Sequence, residues 1–306
     1  MVKFVTCTGR PFPATFLTDA VILMKITPLS EALGAEITDI DVALIDDQAF
    51  KEIHKAFLGH HILVFRDQSL TPTEQVAFSR RFGELDVHIQ KESAHPHLQE
   101  IQILSNKRVD GKFIGSPSAG DNWHTDLQYT DLPTLCTFLY GLEIPKDGGD
   151  TEWANMYLAY ETLPEITKDR LVGLHARHTF NRFRNPRVEV PEVYKGQGQK
   201  RYVDVCPPDS IHPLVRTHPE TGRKALYVSE RFTIGIEELN ELDEQALLDE
   251  LIAHQKQNRF IYHHKWRQLD LTMWDNRCLI HQACGGVPPE QIRHMHRTIV
   301  RGDKPI

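Results

Sequence analysis

The stretch NWHTDLQYT, residues 122–130, sets an imidazole and a carboxylate two positions apart, at His124 and Asp126. On an extended chain residues i and i+2 face the same side, so both side chains can aim at one point. That geometry suits two ligands of one metal ion. Two protein ligands hold a divalent ion poorly, so a third is required from a different strand. In WDNRCLIHQAC, residues 274–284, a strand-like run ends at His281 with small residues behind it. Two histidines and a carboxylate on one face of an octahedral ion suit non-haem Fe(II), because three positions stay open for substrate and oxygen. None of the three is decisive alone. The chain has 17 histidines, HxD pairs arise by chance, and a lone histidine is more often an ordinary core or surface side chain.

Independent support comes from RHMHRTIVRGD, residues 293–303, whose alternation puts Arg293 and Arg297 on one face and His294 and His296 on the other. An inward arginine is costly unless it meets an anion, and its planar fork matches a carboxylate. Two forks suggest two bound acids; the alternative is an exposed charge paired with an acidic neighbour. Thr151, in GGDTEWANM, adds a hydroxyl at the start of another strand that can donate to one of those acids. Iron activates oxygen poorly without a source of electrons. A keto acid would supply them, chelating the metal through its 2-oxo and 1-carboxylate oxygens with its far carboxylate on one arginine and Thr151.

The remainder of the sequence fits an enzyme acting on small molecules. Of 306 residues, 40% are hydrophobic and 25% charged, and no stretch approaches the length of a membrane span, so no membrane partner is expected. A net charge of −7 without a lysine-arginine block argues against nucleic acid. Five cysteines, Cys7, Cys136, Cys206, Cys278 and Cys284, form no CxxC pair, which fits reduced thiols and a cytoplasmic location. Residues 1–23 lack the features of a secretory signal and are expected to be a disordered extension. From Met24 the text reads as packed, and 24–306 is expected to form one domain.

Helical spacing marks DDQAFKEIHKAFLGH, residues 46–60, and HILVFRD, residues 61–67, is a compact β-rich run. Thr71 before Pro72 marks a helix start. TLCTFLYGLEI (134–144) reads as a strand, and HPLVRTHPETGRKALYV (212–228) as a hairpin. In ELNELDEQALLDELIAHQKQ, residues 238–257, Leu239, Leu242, Leu247, Leu248, Leu251 and Ile252 predict one apolar stripe on a helix. Three strands are expected after it: RFIYHHKW, DLTMWDNRCLIHQA and RHMHRTIVRGD. The expected fold is mainly β with flanking helices, a β-sandwich or jelly roll.

NWHTD, GGDTEW, HPLVRTHPETGRKALYV, WDNRCLIH and MHRTIVRGDKP resemble, in order and spacing, the taurine dioxygenase and 2,4-dichlorophenoxyacetate dioxygenase family. The resemblance runs from about Ile26 to the C-terminus. It implies a double-stranded β-helix, a cupin-like jelly-roll core, with Fe(II) on His124, Asp126 and His281. It implies 2-oxoglutarate as cosubstrate, its distal carboxylate on Arg293 and Thr151, with Arg297 near the metal-proximal carboxylate and the substrate's acid group. The implied reaction uses O2 to hydroxylate a small organic acid such as a sulfonate, sulfate ester or aryloxyalkanoate, releasing succinate and CO2. Hydroxylation beside a heteroatom would cleave the product. Trp274 is expected to pack beneath the site, and chains of this kind often form dimers or tetramers.

On the substrate side, His88 stands where taurine-type enzymes use a histidine, but Lys91 stands where they have a tyrosine, which argues against taurine itself. Phe180, Arg182 and Phe183 in HTFNRFRN and Phe232 in ERFT are candidate pocket residues. The segment 192–210 is a candidate mobile lid. Two rivals remain. A zinc metallohydrolase would be supported by an HExxH motif, which is absent, and a non-catalytic jelly-roll sensor would have no need for the full ligand set.

Overall fold

Ile62–Phe65 is a strand of four consecutive apolar residues, all fully buried, in a computed structural model described here for residues 24–87, 91–117 and 120–306. The expected extension 1–23 and His88 lie outside the described residues. Alternate side chains of this strand serve two cores: Ile62 and Val64 enter one, Leu63 and Phe65 the other. A strand covered on both faces reads as an unbroken apolar run. Its sheet runs in the order Lys25–Pro28, Ala35–Thr38, Ile62–Phe65, Leu271–Asp275, Thr134–Glu143, His294–Arg301 and Leu85–Asp86, with Gln102–Ser105 also pairing with His294–Arg301.

Two capped helices cover the outer face of this sheet. Helix Asp47–His60 starts at Asp46, whose carboxylate accepts the Ala49 N–H, and stops at His61 in the left-handed region. Helix Pro72–Arg80 starts with a reciprocal capping box between Thr71 and Glu74. Edge-to-face contacts of Phe78 with Phe65 (5.7 Å) and Phe138 (5.6 Å) lock the second helix to the sheet.

The inner face meets a smaller sheet, Ile261–His264, Thr151–Asn155 and Leu279–Ala283, so that the two sheets form a jelly-roll core. Trp274 fills the space between them, its ring 5.4 Å from Trp153 and 4.8 Å from His281. A further sheet of His175–His178 with Ser210–Pro213 and Thr233–Ile236, the expected hairpin Val215–Thr217 with Lys224–Leu226, and a short hairpin of Arg108–Val109 with Lys112–Phe113 make up the other β structure among the described residues. No helix among the described residues is long and apolar enough to cross a membrane.

Two expectations are corrected. Leu242 does not join the apolar stripe: it is 84% exposed, whereas Leu247, Leu248, Leu251 and Ile252 are buried. Helix Glu241–Gln255 begins one residue earlier on an Asn240 cap, and nine residues, two and a half turns, put Leu242 opposite Leu251. Leu239 precedes the helix and packs against the core. The second correction concerns residues 270–283, which form two strands in different sheets, Leu271–Asp275 and Leu279–Ala283. Asp275 turns the chain between them by accepting the Arg277 N–H at 2.9 Å, and the Arg277 guanidinium folds back on the same carboxylate at 2.8 and 2.7 Å. His218 adds a contact at 3.0 Å, and Glu220 takes the outer side of Arg277 at 2.6 Å. Apolar runs continue on both sides of this crossover, so periodicity alone does not reveal it.

Burial by itself would raise the Asp275 carboxyl, but Arg277 and then His218 hold it far below the usual carboxylate range. Arg277→Met strands that charge in the interior and should cost about 3–5 kcal/mol, read from urea unfolding; a loss below about 1 kcal/mol would show that the pair is not buried in solution. Burial also pushes the His61 and His296 imidazoles from the ordinary 6.5 down to about 4. A group depressed on folding contributes stability above its unfolded pKa and loses it as pH falls through the folded one. The thermal midpoint should therefore drop between pH 6.5 and 4, and His61→Gln should flatten part of that drop.

Candidate metal centre

The HxD segment, which turns at Asp126, joins the small sheet through an isolated reciprocal backbone bridge: His124 N–H to His281 O at 2.9 Å and His281 N–H to His124 O at 2.8 Å. The bridge sets the two imidazoles side by side, ring centroids 4.1 Å apart. Asp126 follows two residues on, with Oδ1 3.7 Å from His124 Nε2 and Oδ2 3.9 Å from His281 Nε2. The three donor atoms lie within 4.8 Å of one another, and all three side chains are buried.

Protonation suits ligation. His124 Nδ1 lies 2.7 Å from the Asn122 carbonyl, which can only accept, so Nδ1 carries the proton and Nε2 presents its lone pair to the cluster. Burial pushes both imidazoles below their ordinary value, keeping them neutral. For Asp126 burial acts in the opposite sense, but Arg297, the two imidazoles and the Thr137 hydroxyl outweigh it and hold the carboxyl well below its usual range. The set is two neutral imidazoles and one ionised carboxylate, which fits Fe(II) with open positions.

Side chains from the large sheet and the crossover hold the carboxylate in place. Thr137 donates to Asp126 Oδ2 at 2.5 Å and accepts from Asn276 Nδ2 at 2.9 Å. Asn276 Oδ1 accepts the Asp126 N–H at 3.1 Å and the Trp274 indole at 3.2 Å. Arg297 Nη1 reaches Asp126 Oδ1 at 3.1 Å. The expectation of Trp274 beneath the site agrees with this packing. Sequence reasoning missed Thr137 and Asn276, although a fully buried threonine inside the apolar run TLCTFLYG was a usable signal.

One cavity connects the cluster with the second arginine: His124, His281, Thr151, Arg293 and Arg297 all line it. Thr151 Oγ1 accepts from Trp266 Nε1 at 3.0 Å; an indole only donates, so the threonine proton is free to point elsewhere. Arg293 has no carboxylate within ion-pair distance among the described residues; its Nε donates to Gly149 O at 3.1 Å and its backbone is tied to Asn106. Burial pushes this guanidinium down to about 10. Gly149 has φ +77°, and a Cβ there would lie 3.0 Å from Arg293 Cδ, so the GGD motif makes room for the arginine stem. On its other side Arg293 borders a wider cavity of about 280 Å³.

A third cavity, about 110 Å³, opens over His124 and Asp126. Phe180, Arg182 and Phe232 line it, together with Tyr129, Tyr202 and Arg231, which sequence reasoning missed. Phe183 and Lys91 are not among its lining residues: Phe183 lies against Tyr202, ring centroids 6.1 Å apart, and Lys91 is exposed on the turn Lys91–Ser93. Arg182 is engaged by Asp121 at 2.5 Å. The segment expected as a lid holds a turn, Glu192–Tyr194, and a helix, Gln197–Asp204, with Tyr194 and Tyr202 facing the cavity. Among the described residues no glutamate lines either cavity at the cluster.

Residues 25–299 match the model of the family described as Taurine catabolism dioxygenase TauD, TfdA family. The (S)-phenoxypropionate/alpha-ketoglutarate-dioxygenase of Sphingobium herbicidovorans is 34% identical over 84% of this chain and 88% of its own. Among solved structures, a taurine dioxygenase from Burkholderia xenovorans superposes with a TM-score of 0.76 at 31% identity, covering 92% of this chain and 91% of that one. AAD-2 in complex with Mn(II) and N-oxalylglycine gives a TM-score of 0.76 at 27% identity, covering 92% and 98%. The chain belongs to the TauD/TfdA family of dioxygenases, oxidoreductases whose chemistry runs on Fe(II), 2-oxoglutarate and O2.

Proposed function

We propose that this chain hydroxylates a small organic acid with Fe(II), 2-oxoglutarate and O2, releasing succinate and CO2. The observation that carries this is the sharing of one cavity by a preset His–Asp–His cluster and a partly buried arginine, Arg293, that has no carboxylate within ion-pair distance among the described residues. His124, Asp126 and His281 would hold the metal. Arg293 and Thr151 would grip the distal carboxylate of the cosubstrate, a charge-assisted fork plus one hydroxyl donor. Arg297 would meet the metal-proximal carboxylate. Bound iron, with the oxo acid and O2, supplies an oxidant able to take hydrogen from an unactivated C–H bond.

The chain's own task is placement. Thr137 and Asn276 fix the ligating carboxylate, and the aromatic residues of the cavity above it would orient the target C–H. The resemblance and the relatives' names support an aryloxyalkanoate, sulfonate or sulfate ester as substrate. If the product carries its new hydroxyl beside a heteroatom, it falls apart without further help from the protein.

Oxygen uptake coupled to succinate formation with 2,4-dichlorophenoxyacetate, phenoxypropionate, taurine and hexyl sulfate tests the activity; no succinate above the substrate-free rate with any acid would favour the sensor. His124→Ala and Asp126→Ala should each abolish Mn(II) binding, followed by paramagnetic resonance, along with turnover. Retention of both in either variant would remove that residue from the cluster. Arg293→Ala leaves a carboxylate without its fork, a loss of roughly 2–5 kcal/mol, so the half-saturating 2-oxoglutarate concentration should rise about 30-fold or more. An unchanged cosubstrate dependence would mean that a different group holds the diacid.

A further inference from the structure

The third cavity contains a cation that the proposed mechanism does not use. Arg231 is 5% exposed, and its backbone N–H is tied to the Trp123 carbonyl at 3.1 Å, one residue from His124. Nη2 donates to the Phe180 carbonyl at 2.9 Å and reaches the Tyr202 hydroxyl at 3.4 Å. Nη1 is buried with no hydrogen-bond partner. Among the described residues no carboxylate lies within ion-pair distance of this guanidinium. The acid whose charge acts on it, Asp121, is already held by Arg182. A buried guanidinium without a counter-charge is expensive, and such groups are ordinarily paired or completed by a ligand.

Its surroundings define what the ligand looks like. The guanidinium lies 4.6 Å from the Phe232 ring centroid and 5.7 Å from that of Phe180. Tyr129 packs against both rings, at 4.9 and 4.8 Å, and Phe232 lies 5.8 Å from the His124 ring. Cation, aromatic wall and metal cluster therefore follow one another along a single cavity. Arg297, in contrast, already has Nη1 on Asp126.

Resting on the dioxygenase reading above, we propose that Arg231 binds the acid group of the substrate while Phe180, Phe232 and Tyr129 enclose an apolar carbon skeleton lying between that group and the metal. The ligand class is a monoanionic oxyacid, carboxylate or sulfo-oxyanion, with a hydrophobic body. Arg297 is left to the metal end of the cavity. Both oxyanions match a planar fork, so their relative strength is a matter for measurement.

The test uses the full chain loaded with Mn(II) and N-oxalylglycine, which bind without turnover, and calorimetric titration of 2,4-dichlorophenoxyacetate, hexanesulfonate and hexyl sulfate. Methyl 2,4-dichlorophenoxyacetate and hexanol serve as uncharged counterparts. Arg231→Gln should weaken the acids on the order of 100-fold and leave the uncharged compounds unchanged, and Arg231→Lys should recover part of the loss. The acid with the largest loss identifies the preferred oxyanion. Equal losses for acids and uncharged counterparts, or none for the acids, would overturn the assignment of Arg231, as would failure of all three acids to bind the wild-type protein. If Arg231→Gln loses its thermal response to Mn(II) and N-oxalylglycine, Arg231→Lys carries the comparison. Succinate production by the wild-type enzyme is scored separately: its presence alongside a negative result at Arg231 leaves the dioxygenase reading standing, and its absence removes that reading whatever Arg231 binds.

Discussion

Two backbone hydrogen bonds between His124 and His281 hold the site together. They join residues far apart in the chain, and they fix the imidazoles by the path of the main chain rather than by side-chain packing alone. The bridge can form only because the chain leaves the large sheet at Asp275 and enters the small one at Leu279. That crossover is held by a carboxylate and a guanidinium with almost no solvent contact, so a buried ion pair beside the core sets the register of a ligand several residues away.

The interior of the sandwich carries more polarity than a packing argument alone would allow. Asp126, Arg297, Thr137 and Asn276 lie between layers made otherwise of Trp274, Leu139 and their neighbours. Each is held by another: the arginine and threonine neutralise and orient the carboxylate, and the asparagine fixes both the threonine and the backbone that bears the carboxylate. A network of this kind is rigid when every member is satisfied and costly when one is missing. Here it holds the Asp126 carboxylate against the two imidazoles.

Much of this was legible in the sequence, for identifiable reasons. His124, Asp126, Arg293 and Arg297 stand out because residue types that are expensive to bury recur at the two-residue period of an extended chain, and the structure brings all four around the cluster and its cavity. The helix starts at Asp46 and Thr71 carry local capping chemistry, which depends only on neighbouring residues. Tyr129 and Arg231 were not legible. Leu127 has φ 52°, so the chain turns immediately after Asp126 and the alternation that led to the ligands stops there. Arg231 reaches the cavity from a segment placed by bonds to residues distant in the chain, among them its N–H donating to the Trp123 carbonyl and its own carbonyl accepting from Asn185. Phe183 and Lys91 were chosen on local text alone, and local text does not say which way a turn faces. Leu242 failed for a different reason: nine residues at 3.6 per turn put it opposite Leu251, so it never belonged to the stripe.

The two ends of the reaction chamber come from different parts of the architecture. Thr151, His281 and Arg297 belong to strands of the two stacked sheets, whereas Tyr129, Phe180, Tyr202, Arg231 and Phe232 sit on connecting segments and one short helix outside those strands. Exchanging a residue in the second group leaves the hydrogen-bond ladders of the first untouched. Such a layout lets selection, or an engineer, retune which compound is consumed while the oxidising machinery stays as it is, and it locates the positions where a library of variants would be built.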